Sequence, residues 1–172
     1  MRILCLILYY SFARYLPVSY FPIVGNICKW IRYQLCRRIF KKCGTNVNIE
    51  RLAFFGGGKS IEIGDHSGLG INCVVPSNTI IGNYVMMAPN CRILPCNHAF
   101  DRIDIPMCQQ GDTGSQSTII EDDVWIGINV LITPGRVIKK GTIIAGGCVL
   151  CKDFPEYSIV GGNPSRLIRT RK

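Results

Sequence analysis

The stretch IIEDDVWIGINVLITPGRVIKKGTIIAGGCVL, residues 119–150, places an aliphatic residue at every sixth position. The series is Ile120, Ile126, Ile132, Ile138, Ile144 and Leu150. An amphipathic helix needs a period near 3.6 and an ordinary strand a period of 2, so neither explains a period of six. The stretch therefore predicts a coil of short strands in which each hexad points one large aliphatic side chain inward.

The same period runs through an earlier part of the chain, at Ile63, Leu69, Val75, Ile81, Met87 and Ile93. The position four residues after most of these markers holds a small side chain. These small residues are Ser67, Cys73, Thr79, Val85, Cys91, Val124, Val130, Thr142 and Cys148. Three hexads would close one triangular turn, so stacked turns would place both sets of residues in columns inside a prism.

Two kinds of residue in the small slots need an explanation. Arg136 occupies one slot, and a lone buried guanidinium is costly, so we predict a local bulge or a side chain that reaches a carboxylate or solvent. Several of the ten cysteines fill other slots as small hydrophobes. Arg14 and Tyr15 follow the N-terminal apolar run where a secretory signal needs small residues, which favours a reduced, cytoplasmic location.

Residues 95–118 interrupt the repeat, and the hexads before and after them differ in phase by three residues. The segment is polar, rich in turn-forming residues and free of periodicity. A loop of this length inside a compact repeat is usually functional. It contains His98, one of two histidines, which by itself is explained as well by a cap at the end of the coil as by catalysis. The other, His66, is interpreted as a solvated corner residue.

Three stretches resemble the hexapeptide-repeat acyltransferases, and within them the sugar O-acetyltransferases that include maltose and galactoside acetyltransferases. They are IGNYVMMAPN at 81–90, VWIGINVLITPG at 124–135 and IVGGNPSRLI at 159–168. The resemblance covers about residues 44–170. It implies an all-β, left-handed parallel β-helix that is usually a homotrimer and uses acetyl-CoA.

Together with the composition of the N-terminus, the resemblance predicts a basic, aromatic helical segment at 1–43, a β-helix at 44–160 with the inserted loop 95–118, and a cofactor-binding tail at 161–172. It also implies that His98 is the general base. Transfer of an acyl group from a thioester to a hydroxyl requires removal of one proton, and an imidazole suits that task near neutral pH. We expect Asp101, Asp104 or a backbone carbonyl to hold the second ring nitrogen.

The acceptor and donor residues are also implied by the resemblance. In the family an asparagine contacts the acceptor, and Gly70 takes its place here, so Asn72 is the candidate substitute; Asn97 and Asp101 are further candidates. For the acetyl donor, Trp125 matches an aromatic residue near the thioester. The remaining donor candidates are Ile128, Gly146 and Cys151 along the pantetheine arm, and Lys152, Arg166 and Arg169 at the phosphates. The alternative for the arginines is a solvated basic tail.

Residues 1–43 carry eight basic side chains and no acidic one, together with nine of the aromatic residues. The apolar run at 3–13 is too short to span a bilayer, which needs about 20 residues. Such a composition is typical of a segment on an anionic membrane surface, and equally of two helices that cap the open end of the prism. Nothing resembles a nucleic-acid-binding module.

The sequence thus predicts an acetyl-CoA-dependent O-acetyltransferase that modifies a sugar or glycan, in cell-envelope or capsular polysaccharide biosynthesis. The alternatives are N-acetylation of an amino sugar or nucleotide sugar, and a non-catalytic β-helical scaffold recruited to membranes. A zinc hydratase on this fold needs three histidines per metal and the chain has two, so we expect no metal.

Overall fold

The computed structural model describes all residues 1–172, and it consists of two helices followed by a coil of very short strands. The helices are α1 (Arg2–Ser11) and α2 (Gly25–Ile39), with 3₁₀ turns at Ala13–Tyr15 and Met107–Gln109. The strands are β1 (Lys42–Cys43), β2 (Asn48–Ile49), β3 (Glu62–Ile63), β4 (Gly68–Leu69), β5 (Ile80–Ile81), β6 (Met86–Met87), β7 (Arg92–Ile93), β8 (Ile119–Ile120), β9 (Trp125–Ile126), β10 (Leu131–Ile132), β11 (Val137–Ile138), β12 (Ile143–Ile144), β13 (Val149–Leu150), β14 (Ser158–Gly161) and β15 (Arg166–Thr170). The coil therefore begins at Lys42, two residues before the expected boundary at 44.

The strands form the three faces of a prism. The first face has the order β1-β3-β5-β8-β11, the second holds β2-β4 and then β6-β9-β12-β14-β15, and the third holds β7-β10-β13. Every pair of neighbouring strands is parallel except β14 with β15. The structure confirms the predicted left-handed parallel β-helix with a helical segment ahead of it and a loop extruded from it.

The register confirms that three hexads make one turn. Glu62 pairs with Ile80 and Trp125 with Ile143, and in both cases the partner lies three hexads further along the chain. The first turn is longer, because Phe54 bridges to Val74, which lies two positions beyond three hexads. Since the normal spacing has returned by Glu62, the two additional residues lie between Phe54 and Glu62, where the chain turns through Gly56–Gly58.

The corners of the prism need a left-handed backbone, which asparagine and glycine adopt most readily. Asn72, Asn90 and Asn129 follow one another at the corner between the second and third faces, each with a positive φ. Their amides form a ladder, in which Asn72 donates to Asn90 at 3.0 Å and Asn90 to Asn129 at 3.1 Å. Side-chain hydrogen bonds thus join successive turns outside the backbone ladders.

The interior consists of the two columns that the sequence predicts. All twelve aliphatic markers are buried, from Ile63 through Leu150, and so are all nine small residues. The ten cysteines are free thiols, and Cys73, Cys91 and Cys148 are completely buried in the narrow slots. The period of six in the sequence therefore identifies the buried residues of the coil.

The N-terminal helices pack on the first turn of the coil. Tyr9 is completely buried, its ring centroid lies 4.6 Å from that of Phe55, and its hydroxyl donates to the carbonyl of Ala53 at 2.9 Å. Cys36 and Ile39 of α2 belong to the same buried cluster. The helices thus cover the end of the prism. Neither helix has the combination of length and apolar character needed to cross a bilayer.

Candidate active site

The inserted loop begins as a short antiparallel stem. The amide of Ala99 donates to the carbonyl of Gly111 at 2.9 Å, and the amide of Thr113 donates to the carbonyl of Asn97 at 2.8 Å. The hydroxyl of Thr113 also accepts from the amide of Asn97 at 3.1 Å. This stem sets His98 and Asp112 opposite each other as a bridged pair.

The Nδ1 atom of His98 lies 2.8 Å from Oδ1 of Asp112. The sequence suggested Asp101, Asp104 or a backbone carbonyl for this role, and that expectation was wrong, because the partner is the carboxylate of Asp112. Asp104 is engaged by the guanidinium of Arg102, and Asp101 has no side-chain hydrogen bond. The stem explains the difference, because antiparallel pairing places a residue of the returning arm of the loop beside the histidine.

The contact with Asp112 occupies one ring nitrogen of His98 and leaves the other free. The carboxylate of Asp112 accepts a hydrogen bond from the protonated Nδ1 atom. This geometry therefore favours the tautomer in which Nε2 carries a lone pair. The side chain of His98 is 85% exposed, so no other part of the chain encloses it. The contact with Asp112 thus orients an imidazole that is exposed to solvent.

Gln110 organises the far end of the loop. Its Nε2 donates to the carbonyls of Arg102 at 2.7 Å and Ile105 at 3.1 Å, and its Oε1 accepts from the amide of Arg102 at 3.1 Å. Three bonds from one side chain fix the tip relative to the stem. Gln110 and the glycine that follows it therefore shape the loop that carries His98.

Of the three acceptor candidates, the structure places Asn72 away from His98 within one chain, whereas Asn97 and Asp101 belong to the same loop as His98. Asn72 lies at the corner between the second and third faces, whereas the loop of His98 leaves the corner between the third and first. Asn97 contributes its backbone to the stem, and Asp101 is exposed. The glycine at position 70 has a steric reason, because a Cβ there would lie 2.3 Å from the carbonyl oxygen of Met87.

A cavity of about 300 Å³ that the sequence did not predict lies between α2 and the second face. Its polar wall includes Lys29, Asn46, Asn48, Glu50 and His66. His66 is a corner residue, as expected, with φ 57° and an exposed side chain. Its ring stacks on that of Tyr84 at 5.2 Å between centroids. Only the three-dimensional stacking of turns brings these residues together.

Glu50 is the buried acid of this cavity. Burial by itself would raise the pKa of Glu50, but hydrogen bonds from Ser19 and Asn48 outweigh it and lower the pKa below its usual value. Nδ2 of Asn48 donates at 3.0 Å and the amide of Ser19 at 3.1 Å. Arg32, which is completely buried, places a guanidinium nitrogen 3.5 Å from the carboxylate. Glu50 is therefore held as an anion.

The candidates for the donor lie on the last turns of the coil. Ile128 and Gly146 are neighbours at one corner, since the amide of Gly147 donates to the carbonyl of Ile128 at 2.8 Å. A Cβ on Gly146 would approach the Cγ2 atom of Ile128 to 3.2 Å, so glycine keeps this corner narrow. Trp125 projects outward from β9 on the second face and is about half exposed.

Cys151 and Lys152 follow β13 at the other edge of the third face. The amide of Cys151 donates to the hydroxyl of Ser165 at 3.2 Å, and the side-chain hydrogen bond with Ser165 lowers the pKa of the exposed Cys151 thiol. The ammonium of Lys152 lies 5.4 Å from the ring centroid of Phe154. Ser165 could not be identified from the sequence, because it meets Cys151 only where the turn before β15 folds back on the coil.

Arg166 and Arg169 lie on β15, where every residue is exposed, and neither forms an ion pair. Arg136 lies near the same edge and donates to the carbonyl of Cys151 at 3.2 Å. It also reaches Asp153 at 3.5 Å, so of the outcomes predicted for Arg136, a bulge, a carboxylate or solvent, the structure shows a carboxylate contact. This edge of the molecule is thus cationic, with several basic side chains that have no carboxylate partner.

Comparison with known proteins identifies the class. Residues 117–152 match the family model "Bacterial transferase hexapeptide (six repeats)". The galactoside O-acetyltransferase of Escherichia coli is 31% identical over 140 residues, which are 80% of this chain and 68% of that protein.

Solved structures agree in fold. The maltose O-acetyltransferase from Clostridium difficile 630 superposes with a TM-score of 0.78 at 29% identity, covering 99% of this chain and 86% of the other. A galactoside acetyltransferase in complex with coenzyme A superposes with a TM-score of 0.80 at 27% identity, covering 98% and 80%. The chain belongs to the hexapeptide-repeat acetyltransferases, in the branch of the sugar O-acetyltransferases.

Proposed function

We propose that this protein transfers the acetyl group of acetyl-CoA to a hydroxyl of a sugar or glycan, with His98 as the general base. The observation that carries the proposal is the contact of 2.8 Å between Nδ1 of His98 and Asp112, which leaves Nε2 available. A corner residue without a catalytic role would need no carboxylate to orient its ring. Position in the extruded loop, outside the regular coil, supports the same role.

The proton balance of the reaction fits one imidazole. Nε2 of His98 accepts the proton of the acceptor hydroxyl while its oxygen attacks the thioester carbonyl. The imidazolium is stabilised by Asp112, which stays ionised. As the carbon–sulfur bond breaks, the same proton passes to the departing thiolate, and the products are the acetyl ester and CoA. No covalent acyl-enzyme is required, because a thiolate is already a good leaving group.

The last turns fit the chemistry of the donor. CoA carries a pyrophosphate and a 3′-phosphate, and Lys152, Arg166 and Arg169 offer cations that no carboxylate neutralises. The pantetheine arm is slender and carries amides, which suits the narrow corner of Ile128 and Gly146. The related galactoside acetyltransferase structure contains coenzyme A, which supports the same donor here.

We further propose a homotrimer. On a single chain His98 is open to solvent, and Asn72 lies at a different corner of the prism. A neighbouring chain packed against one face would supply the second wall of an acceptor cleft. Asn72, Asn97 and Asp101 are then candidate acceptor contacts from one chain or the other. Light scattering at several protein concentrations tests the assembly, and a monomeric mass would contradict it.

The acceptor class is proposed from the relatives, which act on galactosides and maltose by their names. We propose a glycan of the cell envelope or capsule as the physiological acceptor. The test is a CoA-release assay over galactosides, maltose, amino sugars and lipid-linked glycans. Product identification decides between an ester and an amide, and amides alone would favour N-acetylation.

His98→Ala should lower kcat by about 10²- to 10⁴-fold and leave acetyl-CoA affinity nearly unchanged, because only the base is lost. Asp112→Asn should lower kcat by up to about 10⁴-fold, since an amide can stabilise the wrong tautomer. His66→Ala is the matched control, and it should retain turnover with a small acceptor. Full turnover by His98→Ala with a genuine acceptor would show that the mechanism is wrong.

A further inference from the structure

Helix α1 is apolar on both of its sides. Its inner side packs Cys5 and Tyr9 against the coil, and both are buried. Its outer side carries only apolar residues and one serine, and all of them are exposed. These residues are Ile3, Leu4, Ile7, Leu8 and Ser11, with Phe12 directly after the helix. A helix that is hydrophobic all round is normally buried all round, so the outer side requires a covering partner.

The connection to α2 and the start of α2 extend this exposed surface. Ile23 is 97% exposed and Trp30 is 59% exposed. The buried residues of α2 include Cys36 and Ile39, which belong to the core cluster of the coil, so the exposed residues on the opposite side of α2 point away from the coil. We call the exposed set the outer apolar face: Ile3, Leu4, Ile7, Leu8, Phe12, Tyr15, Tyr20, Phe21, Ile23, Ile27 and Trp30. Surfaces of this extent on a soluble domain usually mark an interaction site.

Charge decides which partner fits this face. Residues 1–43 hold eight basic residues and no acidic one. Only Arg32 and Lys41 form ion pairs with carboxylates, so exposed Arg37 and Arg38 retain uncompensated charge. A second copy of the chain would bring two such segments together and would be repelled. An anionic bilayer surface offers both an apolar layer and opposite charge.

We propose that the outer apolar face docks onto an anionic lipid bilayer, with α1 lying in the plane of the interface. The apolar side chains would enter the boundary between headgroups and acyl chains, and the basic residues would meet lipid phosphates. Trp30 sits on this face, as an aromatic residue suited to the headgroup level. Docking of this face is independent of the acetyltransferase activity.

The first test is co-sedimentation of the full-length protein with two kinds of vesicle, one of phosphatidylcholine alone and one in which phosphatidylglycerol replaces about a third of it. Binding should require the anionic lipid and weaken with salt. Ile3→Ser/Ile7→Ser should lower the partition coefficient at least tenfold, and Arg37→Gln/Arg38→Gln should lower it about fivefold per charge. Both pairs are exposed, so the fold should remain intact. Ile103→Ser, at a fully exposed isoleucine of the inserted loop, is the matched control and should bind like the wild type.

The second test locates the contact. The chain has two tryptophans, so Trp125→Phe leaves Trp30 as the only one. Brominated anionic lipids should quench its emission, and the Ile3→Ser/Ile7→Ser changes in that background should restore it. Absence of quenching, or equal binding to neutral and anionic vesicles, would overturn the proposal. A smaller particle for Ile3→Ser/Ile7→Ser in light scattering, without vesicle binding by the wild type, would identify a protein interface instead.

Discussion

Arg32 ties three separate parts of the chain together, and its replacement tests how the helices are held to the coil. It is completely buried in α2. Its guanidinium donates to the carbonyls of Pro17 at 2.9 Å and Leu16 at 3.3 Å in the connection between the helices. It also donates to the carbonyl of Ile49 on β2, and it lies 3.5 Å from the carboxylate of Glu50.

The expected loss from Arg32→Met follows from these contacts. Methionine fills much of the volume, so the loss is mainly electrostatic. Removing one partner of a buried ion pair typically destabilises a protein by about 3–5 kcal/mol, because the remaining charge is left uncompensated. Two effects act in opposite directions. In the variant, hydrogen bonds from Ser19 and Asn48 still stabilise the Glu50 carboxylate, which reduces the loss. The carbonyls of Leu16, Pro17 and Ile49 lose their donor, which increases the loss by a similar amount. We therefore expect about 3–5 kcal/mol, or a fall in Tm of roughly 6–20 °C for a chain of this size.

Thermal and urea unfolding should be followed by circular dichroism at one fixed protomer concentration, since oligomers gain stability with concentration. Arg38→Met is the matched control, because Arg38 is an exposed arginine of the same helix that donates only to the carbonyl of Gln34. It should stay within about 0.5 kcal/mol of the wild type. Arg32→Met/Glu50→Gln should lose less than the sum of the single variants if the uncompensated carboxylate dominates.

Two results would refute this reasoning. A loss below about 1 kcal/mol for Arg32→Met would mean that packing alone attaches the helices. Strict additivity in the double variant would mean that Arg32 and Glu50 do not stabilise each other. Hydrogen exchange of α1 and α2 distinguishes detachment of the helices from unfolding of the whole coil, since the two openings have different free energies.

Two further predictions concern the donor and pH. Lys152→Ala and Arg166→Ala should each weaken acetyl-CoA binding in calorimetry by about 1.5–3 kcal/mol, and clearly less for CoA without its 3′-phosphate; equal losses for both ligands would contradict the phosphate assignment. The pKa of Glu50 is lowered in the folded protein. The contribution of Glu50 to the free energy of unfolding should therefore be complete at pH values above the ordinary pKa of 4.5 and should be lost as the pH falls below that value. Urea unfolding from acidic to near-neutral pH measures this loss of stability. The loss should be smaller in Glu50→Gln, and an unchanged loss in that variant would mean that other acids dominate.

The coil could be predicted from the sequence because its pattern is local. One hexad determines which side chain points inward, and the markers from Ile63 to Leu150 need no knowledge of distant residues. Arg136 was predictable for the same reason, since its slot in the repeat excluded an unpaired buried charge. The helical segment was recognisable by composition, but its inner and outer sides became distinct only when the coil supplied a surface to pack against.

The partner of His98 could not be predicted, because it depends on pairing across the loop. Proximity in sequence favoured Asp101 and Asp104, while the antiparallel stem selects Asp112. The buried pair of Arg32 and Glu50 has the same origin, since one member lies on α2 and the other follows β2, and only the packing of helix on coil joins them. A repeat period contains no information about either contact. The local repeat therefore predicted the scaffold, whereas the contacts of His98 with Asp112 and of Arg32 with Glu50 are present only in the folded chain.

The placement of the loop explains how a regular coil can carry the irregular segment that holds His98. Ile80 pairs with Ile119, although the chain between them is more than twice as long as the chain between Glu62 and its partner Ile80. Nevertheless Ile81 still meets Ile120 and Ile93 still meets Ile132, so the columns of markers continue past the excursion. The loop therefore leaves and re-enters at one corner without disturbing the core. Because the hexads on both sides of the loop keep their pairing, a change in the length or sequence of the stem that holds His98 and Asp112 should leave the packing of the coil intact.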